Sequence, residues 1–296
     1  MPDNLKRAAR HATAAAASFA LMGAAAKAAG KAGAADVVIV FMRNLVALCI
    51  LAPWLLRKGS GALKTQRLRG HLWRSGFGLL GMYTLFYAVS HLPLAEALLL
   101  NYSSPLFIPF LAWFVLKEKP SAILIPAAIL GLIGVVLIVK PVSLSHSFAA
   151  LVGASSGVFA ACAMVSLRRI SNTEPPSRVV FYFALTGVVV SAIPLYWYGR
   201  MPGGEQMFYL VAVGLCATSG QLQLTSAYSV APAARVGAMG YSAVIFAGLL
   251  GWTFWGERPD ARSLLGTALV IATCVLASWQ RAPKQPAAIS PEDAGS

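Results

Sequence analysis

The stretch that decides the fold runs from Leu92 to Pro120 and reads LPLAEALLLNYSSPLFIPFLAWFVLKEKP. A second stretch, APAARVGAMGYSAVIFAGLLGWTFWGERP from Ala231 to Pro259, lies 139 residues later and aligns with the first without a gap. With the few residues before each stretch included, the two agree at eleven positions: Ala88/Ala227, Ser90/Ser229, Pro93/Pro232, Ala95/Ala234, Tyr102/Tyr241, Ser103/Ser242, Phe107/Phe246, Leu111/Leu250, Trp113/Trp252, Glu118/Glu257 and Pro120/Pro259. A self-match at a fixed period that includes Trp, Tyr, Pro and Glu indicates that one structural unit is used twice.

The composition is typical of a membrane protein. The chain of 296 residues is 58% hydrophobic and only 11% charged, whereas soluble domains carry about 25% charged residues. The net charge of +14 does not indicate a nucleic-acid partner, because the Lys and Arg residues lie between apolar runs and form no basic face with stacking aromatics. The cysteines are predicted to be packing residues without metal-ligand or redox spacing: Cys49, Cys162, Cys216 and Cys274. We therefore expect neither a metal nor a cofactor.

Ten apolar runs are long enough to cross a bilayer core of about 30 Å, which takes roughly 20 helical residues. They lie near residues 11–29, 36–56, 71–91, 94–116, 121–140, 148–167, 178–198, 207–228, 234–255 and 262–280. The predicted fold class is therefore an all-α integral membrane protein with ten transmembrane helices. The first five-helix repeat spans residues 1–140 and the second spans 141–281. A polar tail, 282–296, is predicted to be disordered and cytoplasmic.

The first apolar run has two interpretations. The cations before Ala12 and the Ala-rich run that ends at Ala29 resemble a cleaved signal peptide with small-residue cleavage sites. However, subtracting the repeat period from the apolar run at 149–168 gives residues 10–29. That correspondence favours a retained first helix, which is the interpretation adopted for the fold.

The cations also predict the orientation of the chain. With the N-terminus in the cytoplasm, Arg43 lies inside the membrane and only six of the 24 Lys and Arg residues fall on the outer side: Lys27, Lys31, Lys140, Arg200, Arg258 and Arg262. This distribution satisfies the positive-inside rule and predicts that both termini are cytoplasmic. Because five is an odd number, the second repeat enters the membrane in the opposite orientation. Inverted repeats of this kind place a binding site near the midplane at their interface and allow alternating access.

The two quoted stretches resemble the EamA-type branch of the drug/metabolite transporter superfamily, and the similarity extends along nearly the whole chain. Further positions that fit are Ala127 and Gly134 in helix five, Gly266 in helix ten and Arg43 in helix two. The resemblance implies a central cavity lined by helices one, three, four, six, eight and nine in a bacterial-type inner-membrane transporter of small metabolites. Two positions differ from the pattern, since Tyr182 occupies the repeat position of Arg43 and Thr273 replaces a small glycine.

Polar side chains at membrane depth are candidate site residues, because they are costly in hydrocarbon. By helical rise, Tyr102 lies about 13 Å from Pro93, near the middle of the bilayer, and Pro105 predicts a bend just beyond it. The substrate-binding residues predicted here and at the same depth of helix nine are Asn101, Tyr102, Ser103, Tyr241 and Ser242. The alternative is that these hydroxyl groups bond to their own backbone or to a neighbouring helix.

Helices three and eight supply four further candidates for substrate binding, which are Tyr83, Tyr87, Gln221 and Gln223. Amide side chains in hydrocarbon need hydrogen-bond partners, so each glutamine faces either the cavity or another helix. Because residues two apart on a helix point in different directions, we expect only one of the two glutamines to line the cavity.

Charged residues are predicted at the cavity mouths. Glu96 and Arg235 occupy equivalent repeat positions with opposite charge, so Glu96 is assigned to the outer mouth and Arg235 to the inner one. Interfacial snorkelling or a local ion pair explains them equally well. Arg43, about 10 Å along the helix from Asp36, is a third candidate. It also fits a structural arginine that is held by Asn44 or by carbonyl groups.

The sequence argues against an enzyme and against an ATP-driven pump. The segment 153–157, GASSG, matches the nucleophile motif G-x-S-x-G, but it lies inside an apolar helix and no histidine follows His146. It is better interpreted as a small-residue packing face than as a hydrolase site. No phosphate-binding loop occurs in the sequence. Mid-membrane acids are also lacking, which favours facilitated diffusion or exchange over proton coupling, although coupling through Glu96 stays open.

These features predict a secondary transporter that moves a small neutral or zwitterionic metabolite, such as an amino acid or an aromatic relative, by alternating access. Export is favoured by the family resemblance alone. One alternative is a nucleotide-derived or other anionic substrate, which would use Arg43, Arg235 or Lys27, and another is a non-transporting membrane scaffold. The expected partners are the small-molecule substrate and the lipid bilayer, with no nucleic acid. The sequence leaves the oligomeric state open and is compatible with a monomer.

Overall fold

The structure is a computed structural model that describes residues 2–116, 126, 129–131, 133–134, 137, 144–170, 173–198, 202–230, 240 and 242–278. Within these ranges every long element is helical and no strand occurs. The helices are α1 Pro2–Lys31, α2 Asp36–Lys58, α3 Leu68–His91, α4 Leu94–Tyr102, α5 Ser104–Leu116, α6 Leu144–Ile170, α7 Pro176–Tyr198, α8 Gly204–Val230, α9 Ser242–Trp255 and α10 Ala261–Ser278. A 3-10 turn at Ser60–Leu63 follows α2.

The helices coincide with the spans that the sequence predicts. Helices α1 to α3 are predicted helices one to three, α4 and α5 together form helix four, and α6 to α10 are helices six to ten. Helix α1 starts earlier than predicted, at Pro2, because the charged segment before the apolar run is also helical. Most of predicted helix five lies outside the described residues, and its described residues are helical. The predicted tail, 282–296, also lies outside them.

The surface of the helix bundle is apolar, as expected for a protein that faces lipid. On α7, large exposed side chains recur at every fourth position, at Leu185, Val189, Ile193 and Trp197. Such a stripe would be costly in water but not in a bilayer. Five helices in the described part are long and apolar enough to cross a membrane: Lys6–Lys31, Asp36–Lys58, Ser147–Leu167, Pro176–Trp197 and Gly204–Ala227.

Predicted helix four is interrupted at Ser103, between α4 and α5. Pro105 carries no N–H group, so it cannot donate a hydrogen bond to the carbonyl of Asn101. The backbone instead forms two tighter turns, in which the Ser103 N–H donates to the Leu100 carbonyl at 3.3 Å and the Leu106 N–H donates to the Ser103 carbonyl at 2.9 Å. The interruption therefore follows directly from the proline, and it lies at the depth of the predicted polar cluster.

The helix pairing follows the repeat. Helix α1 packs mainly against α8, and their repeat counterparts α6 and α3 pack against each other in the same way. Helix α1 also contacts α9, and its counterpart α6 contacts α4 and α5, which together correspond to α9. In the same way α2 contacts α8, and its counterpart α7 contacts α3. Each repeat thus places its first helix in the other repeat. We call α3, α4, α5 and α6 bundle A, and α1, α8 and α9 bundle B.

The two repeats are inverted, because counterpart helices that touch each other run antiparallel. Ala95 near the start of α4 lies close to Gly248 in the middle of α9, with its Cβ atom 3.9 Å from the Cβ position of that glycine. Tyr102 at the end of α4 lies close to Gly240, just before α9 begins. Antiparallel counterparts require a two-fold axis perpendicular to the helices, which in a membrane-spanning bundle is an axis in the membrane plane.

The predicted small-residue face of helix six is a close packing site. A Cβ atom on Gly157 would lie 2.5 Å from the Ser103 hydroxyl and 2.6 Å from the Leu100 carbonyl oxygen, so only glycine allows α6 to approach α4 so closely. The hydroxyl groups of Ser155 and Ser156 donate to carbonyl groups of their own helix. The segment lies in the continuous helix α6 and lacks the strand–turn–helix context of a nucleophile motif.

A second glycine contact joins predicted helix five to α10. A Cβ atom on Gly134 would lie 2.9 Å from the Gly266 carbonyl oxygen, so the two backbones approach closely at this point. Thr273, which replaces the expected small glycine, is buried and donates its hydroxyl to the Leu269 carbonyl at 2.7 Å. The threonine hydroxyl is thus satisfied within its own helix, and the close approach takes place at the Gly134–Gly266 contact.

Candidate functional site

The centre of the molecule is the crossing of α4 and α9 at Tyr102. The half-buried Tyr102 ring lies 3.4 Å from the position that a Cβ atom on Gly240 would occupy. Gly240 precedes Tyr241, which is the repeat counterpart of Tyr102 and lies outside the described residues. The pseudo-two-fold axis therefore passes close to the Tyr102 ring, between bundle A and bundle B.

The polar neighbours of Tyr102 connect helices or bond to their own backbone. The Asn101 side-chain amide donates to the Ser156 hydroxyl at 3.2 Å and so links α4 to α6. The buried Ser103 hydroxyl donates to the Leu100 carbonyl at 2.6 Å, which is the alternative that the sequence left open for this residue. Ser242 is partly buried at the first position of α9.

The two tyrosines of α3 contact different helices. The buried Tyr83 hydroxyl lies beside Ser191 of α7. Tyr87 stacks on His91 with ring centroids 4.2 Å apart and meets Phe148 of α6 edge-on at 6.0 Å. Tyr83 thus faces the contact between α3 and α7, whereas Tyr87 packs at the end of α3 beside α6.

The two glutamines of α8 also have different surroundings. The Gln223 side-chain oxygen lies 2.5 Å from Nδ1 of His11 on α1. Gln221, two residues earlier, lines a narrow cleft between α2, α7 and α8. Of the pair, Gln221 is therefore the one with open space beside it, and Gln223 holds α1 against α8.

Arg43 lies in the same cleft. Its side chain is only 5% exposed, and its Nη1 donates to the Asn44 side-chain oxygen at 3.0 Å. The guanidinium carbon lies 5.2 Å from the centroid of the Phe183 ring on α7, within the range of a cation–π contact. Asn44 in turn donates to the Val40 carbonyl at 2.8 Å, which fixes the orientation of its amide.

Arg74 on α3 is a second buried cation, which the sequence does not single out as a site residue. Its side chain is 5% exposed, and its guanidinium carbon lies 4.5 Å from the centroid of the same Phe183 ring. Gly78, one turn later on α3, provides the space, since a Cβ atom there would lie 2.5 Å from Nη1 of Arg74.

Glu96, predicted at the outer mouth, is buried between helices. Its Oε1 accepts a hydrogen bond from the Ser263 hydroxyl at 2.6 Å, which links α4 to α10. Arg235, predicted at the inner mouth, lies outside the described residues. The two assignments to the mouths therefore stay predictions.

The predicted outer end carries an ion pair that the sequence does not predict. Lys27 Nζ lies 2.5 Å from Glu257 Oε1 and donates to the Leu92 carbonyl at 2.6 Å. The Leu94 N–H donates to Glu257 Oε2 at 2.8 Å, and Lys27 also lies over the Trp255 ring. We call Lys27, Glu257, Leu92 and Leu94 the outer network. It joins bundle B to the start of α4 in bundle A.

The opposite end of the bundle carries a second charged group, centred on Glu174 between α6 and α7. This side chain accepts hydrogen bonds from Thr65 at 2.6 Å and Arg178 at 2.8 Å, and His71 lies 3.6 Å away. Burial alone would raise the pKa of Glu174. The hydrogen bonds and the charge of Arg178 outweigh burial and hold that pKa below its ordinary value. The group therefore fastens α7 to the turn after α2.

Comparison with known proteins supports a transporter. The profile of the EamA-like transporter family matches residues 10–140 and 147–279, which are the two repeats. A pseudopaline exporter of Pseudomonas aeruginosa is 34% identical over 81% of this chain and 85% of its own length. A riboflavin transporter of Vibrio cholerae is 24% identical over 84% of this chain and 85% of its own length.

A solved crystal structure shares the fold. It superposes with a TM-score of 0.61 over 89% of this chain and 96% of the solved chain, at 20% sequence identity. The symmetry of the helix pairing and the double family match describe the same architecture. The chain, a multi-pass membrane protein, belongs to the EamA-like transporter family.

Proposed function

We propose that this protein moves a small metabolite across a bacterial-type inner membrane by alternating access, with bundle A and bundle B rocking about the crossing at Tyr102. The observation that carries the proposal is the antiparallel contact of α4 with α9, because it places a residue of each inverted repeat at one central point. The outer network closes the predicted outer end in this conformation, since it ties α1 and α9 to the start of α4.

The proposed substrate is a neutral or zwitterionic metabolite, such as an amino acid or an aromatic relative. Tyrosine faces, amides and hydroxyl groups suit such a compound. Asn101 and Tyr102 near the crossing, and Gln221 in the cleft, are side chains of this type. Export is the proposed direction, because the exporter of Pseudomonas aeruginosa is similar along most of both chains.

The proposed topology has both termini in the cytoplasm. The outer network and the Glu174 group lie at opposite ends of the helices, as expected if Lys27 is outside and Arg178 inside. A cysteine introduced next to Glu205 in the first turn of α8 should react with an impermeant reagent from outside, and one next to Thr65 only after permeabilisation. The reverse pattern would overturn this orientation.

The test of function is flux into proteoliposomes that contain the purified protein. A panel of amino acids, riboflavin and pseudopaline should include at least one compound that exchanges across the membrane in a saturable way. Persistence of that flux after the proton gradient is collapsed would support exchange or facilitated diffusion. An absence of flux for the whole panel would favour the non-transporting scaffold.

The role of Tyr102 is tested on the same flux. Tyr102→Ala should reduce the maximal rate at least tenfold, because the ring fills the crossing between the bundles, and Tyr102→Phe should keep the fold while removing only the hydroxyl group. Tyr196→Ala is the matched control, since that ring is 86% exposed on the lipid-facing side of α7. Unchanged kinetics in both Tyr102 variants would remove this residue from the site.

A further inference from the structure

We propose that Arg43 and Arg74 bind an oxyanion group, a carboxylate or a phosphate, of the transported metabolite beside the cleft between α2, α7 and α8. That the bound anion is the transported cargo rests on the proposed transport function. The anion site itself rests on the geometry of the two arginines.

The first observation is that both guanidinium groups are buried without an acid. In the described part of the chain, Lys27 pairs with Glu257 and Arg178 pairs with Glu174. Within the same residues, Arg43 has only the amide oxygen of Asn44, and Nε of Arg74 has no hydrogen-bond partner. A buried cation costs free energy unless an anion or a set of hydrogen bonds compensates for it. A bound oxyanion would supply that compensation.

The second observation is that the two arginines share one aromatic ring. The guanidinium carbons of Arg43 and Arg74 lie 5.2 and 4.5 Å from the Phe183 centroid, so the two buried positive charges are at most about 10 Å apart. Like charges in such a place repel each other, and a shared anion relieves the repulsion. The planar guanidinium group also offers paired N–H donors that match the two oxygens of a carboxylate.

The cleft supplies the remaining contacts. Gln221 lines it, and among the described residues no hydrogen bond to its side-chain amide is formed. Thr218 uses its hydroxyl proton on the Gly214 carbonyl at 2.7 Å and can only accept a further bond.

The position of this anion site links it to the transport cycle. Arg74 belongs to α3 in bundle A, and Arg43 lies on α2, which packs against α8 of bundle B. An anion held by both arginines would link the two bundles through α2. Its binding and release would therefore change the free energy of their rocking, as required of a cargo in alternating access.

The experiment measures the melting temperature of the detergent-purified full chain with succinate, with its uncharged analogue succinamide and with inorganic phosphate. Succinate or phosphate should raise the melting temperature in a saturable way, and succinamide should not. Arg43→Gln and Arg74→Gln should each raise the anion concentration that gives half of the maximal shift at least tenfold. Arg43→Lys and Arg74→Lys should raise it less. Arg69→Gln, an exposed neighbour on α3, is the matched control and should behave like the wild type.

The ligand-free variants separate a binding role from a structural one. If the arginines serve an anion, Arg43→Gln and Arg74→Gln remove an uncompensated buried charge, so their melting temperatures should equal or exceed that of the wild type. Lower melting temperatures together with unchanged anion binding would overturn the proposal, because the arginines would then be structural. The absence of any shift by either anion in the wild type would also overturn it.

Two further arms identify the source of the anion and separate this proposal from the transport proposal. The melting temperature is also compared between phosphatidylglycerol and phosphatidylcholine nanodiscs. A higher melting temperature in phosphatidylglycerol, without any effect of succinate or phosphate, would assign the site to a lipid headgroup and overturn a metabolite site. If flux persists in Arg43→Gln and Arg74→Gln, the transport proposal holds and the anion-site proposal is overturned. If anions bind but no panel compound is transported, the anion site holds and the transport proposal is overturned.

Discussion

At the scale of single residues, two helical glycines have opposite roles. Gly157 on α6 has the Ser103 hydroxyl and the Leu100 carbonyl where a side chain would be, whereas Gly76 on α3 is exposed with nothing within 4 Å. Gly157→Ala should lower the free energy of unfolding by about 1–3 kcal/mol through overpacking. Gly76→Ala, the control, should be neutral or stabilising by about 0.4–1 kcal/mol. Thermal unfolding in detergent measures both. Equal effects would contradict the close approach of α6 to α4.

The sequence predicts individual side chains best where the determining neighbour is close in the chain. Helical spacing predicts that Gln221 and Gln223 have different neighbours, as they do, and the hydrogen bond between Arg43 and Asn44 is one of the two predicted alternatives. The pairing of Lys27 with Glu257 could not be predicted. It depends on how far α1 reaches toward the end of α9, which spacing along the chain does not specify.

At the scale of helices, the outer network makes the two ends of the molecule different. The repeat counterpart of Lys27 is Ser166, whose hydroxyl donates to the Cys162 carbonyl of its own helix. The ion pair of Lys27 with Glu257 therefore has no equivalent between the repeat counterparts of these residues, because a serine replaces the lysine. We expect this difference to favour the conformation that is closed on the outer side.

The outer network is tested by a double-mutant cycle of Lys27→Gln and Glu257→Gln. The two side chains should show a coupling of about 0.5–3 kcal/mol in thermal stability, because each removal leaves its partly buried partner uncompensated. Lys31→Gln combined with Glu257→Gln is the control, since Lys31 lies over the same Trp255 ring. Additive effects of Lys27→Gln and Glu257→Gln would contradict the pairing.

At the opposite end, the Glu174 group predicts a dependence of stability on pH. Because the folded state lowers the pKa of Glu174 below its ordinary 4.5, its stabilisation is complete above about pH 4.5 and is lost as the pH falls through the folded value. Glu174→Gln should therefore be less stable than the wild type by about 1–3 kcal/mol near neutral pH. The difference should shrink below pH 4.5. A difference that is constant with pH would show that the charge of Glu174 does not stabilise α7.

Helix positions were predictable, because apolar runs of membrane length and one proline specify them locally. The interruption at Ser103 follows from Pro105, and the close contact at Gly134 follows from the absence of a side chain. The neighbours of each helix were less predictable. The cleft beside Arg43 lies between α2, α7 and α8, whereas the resemblance implied a cavity in which α2 and α7 take little part.

At the scale of the whole molecule, the repeat period predicts two units but not how they are assembled. Pairing α1 with α8, and α6 with α3, gives each bundle helices from both repeats. A sequence repeat is equally compatible with two separate five-helix units, since it contains no information on which surfaces meet. Only the contacts between distant segments decide this, and they bring α4 and α9 together at the crossing about which we propose that the bundles rock.

The most direct test of this account is a disulfide cross-link between Ala95→Cys and Gly248→Cys in a chain whose native cysteines are replaced by alanine. The two Cβ positions lie 3.9 Å apart, close to the mean of about 3.8 Å in disulfides. We expect the cross-link to form in membranes, to stop flux and to restore flux on reduction, because α4 and α9 run antiparallel and the proposed rocking would separate these two positions. A cross-link of Ala95→Cys with Ala234→Cys instead, or full flux through the cross-linked protein, would contradict it.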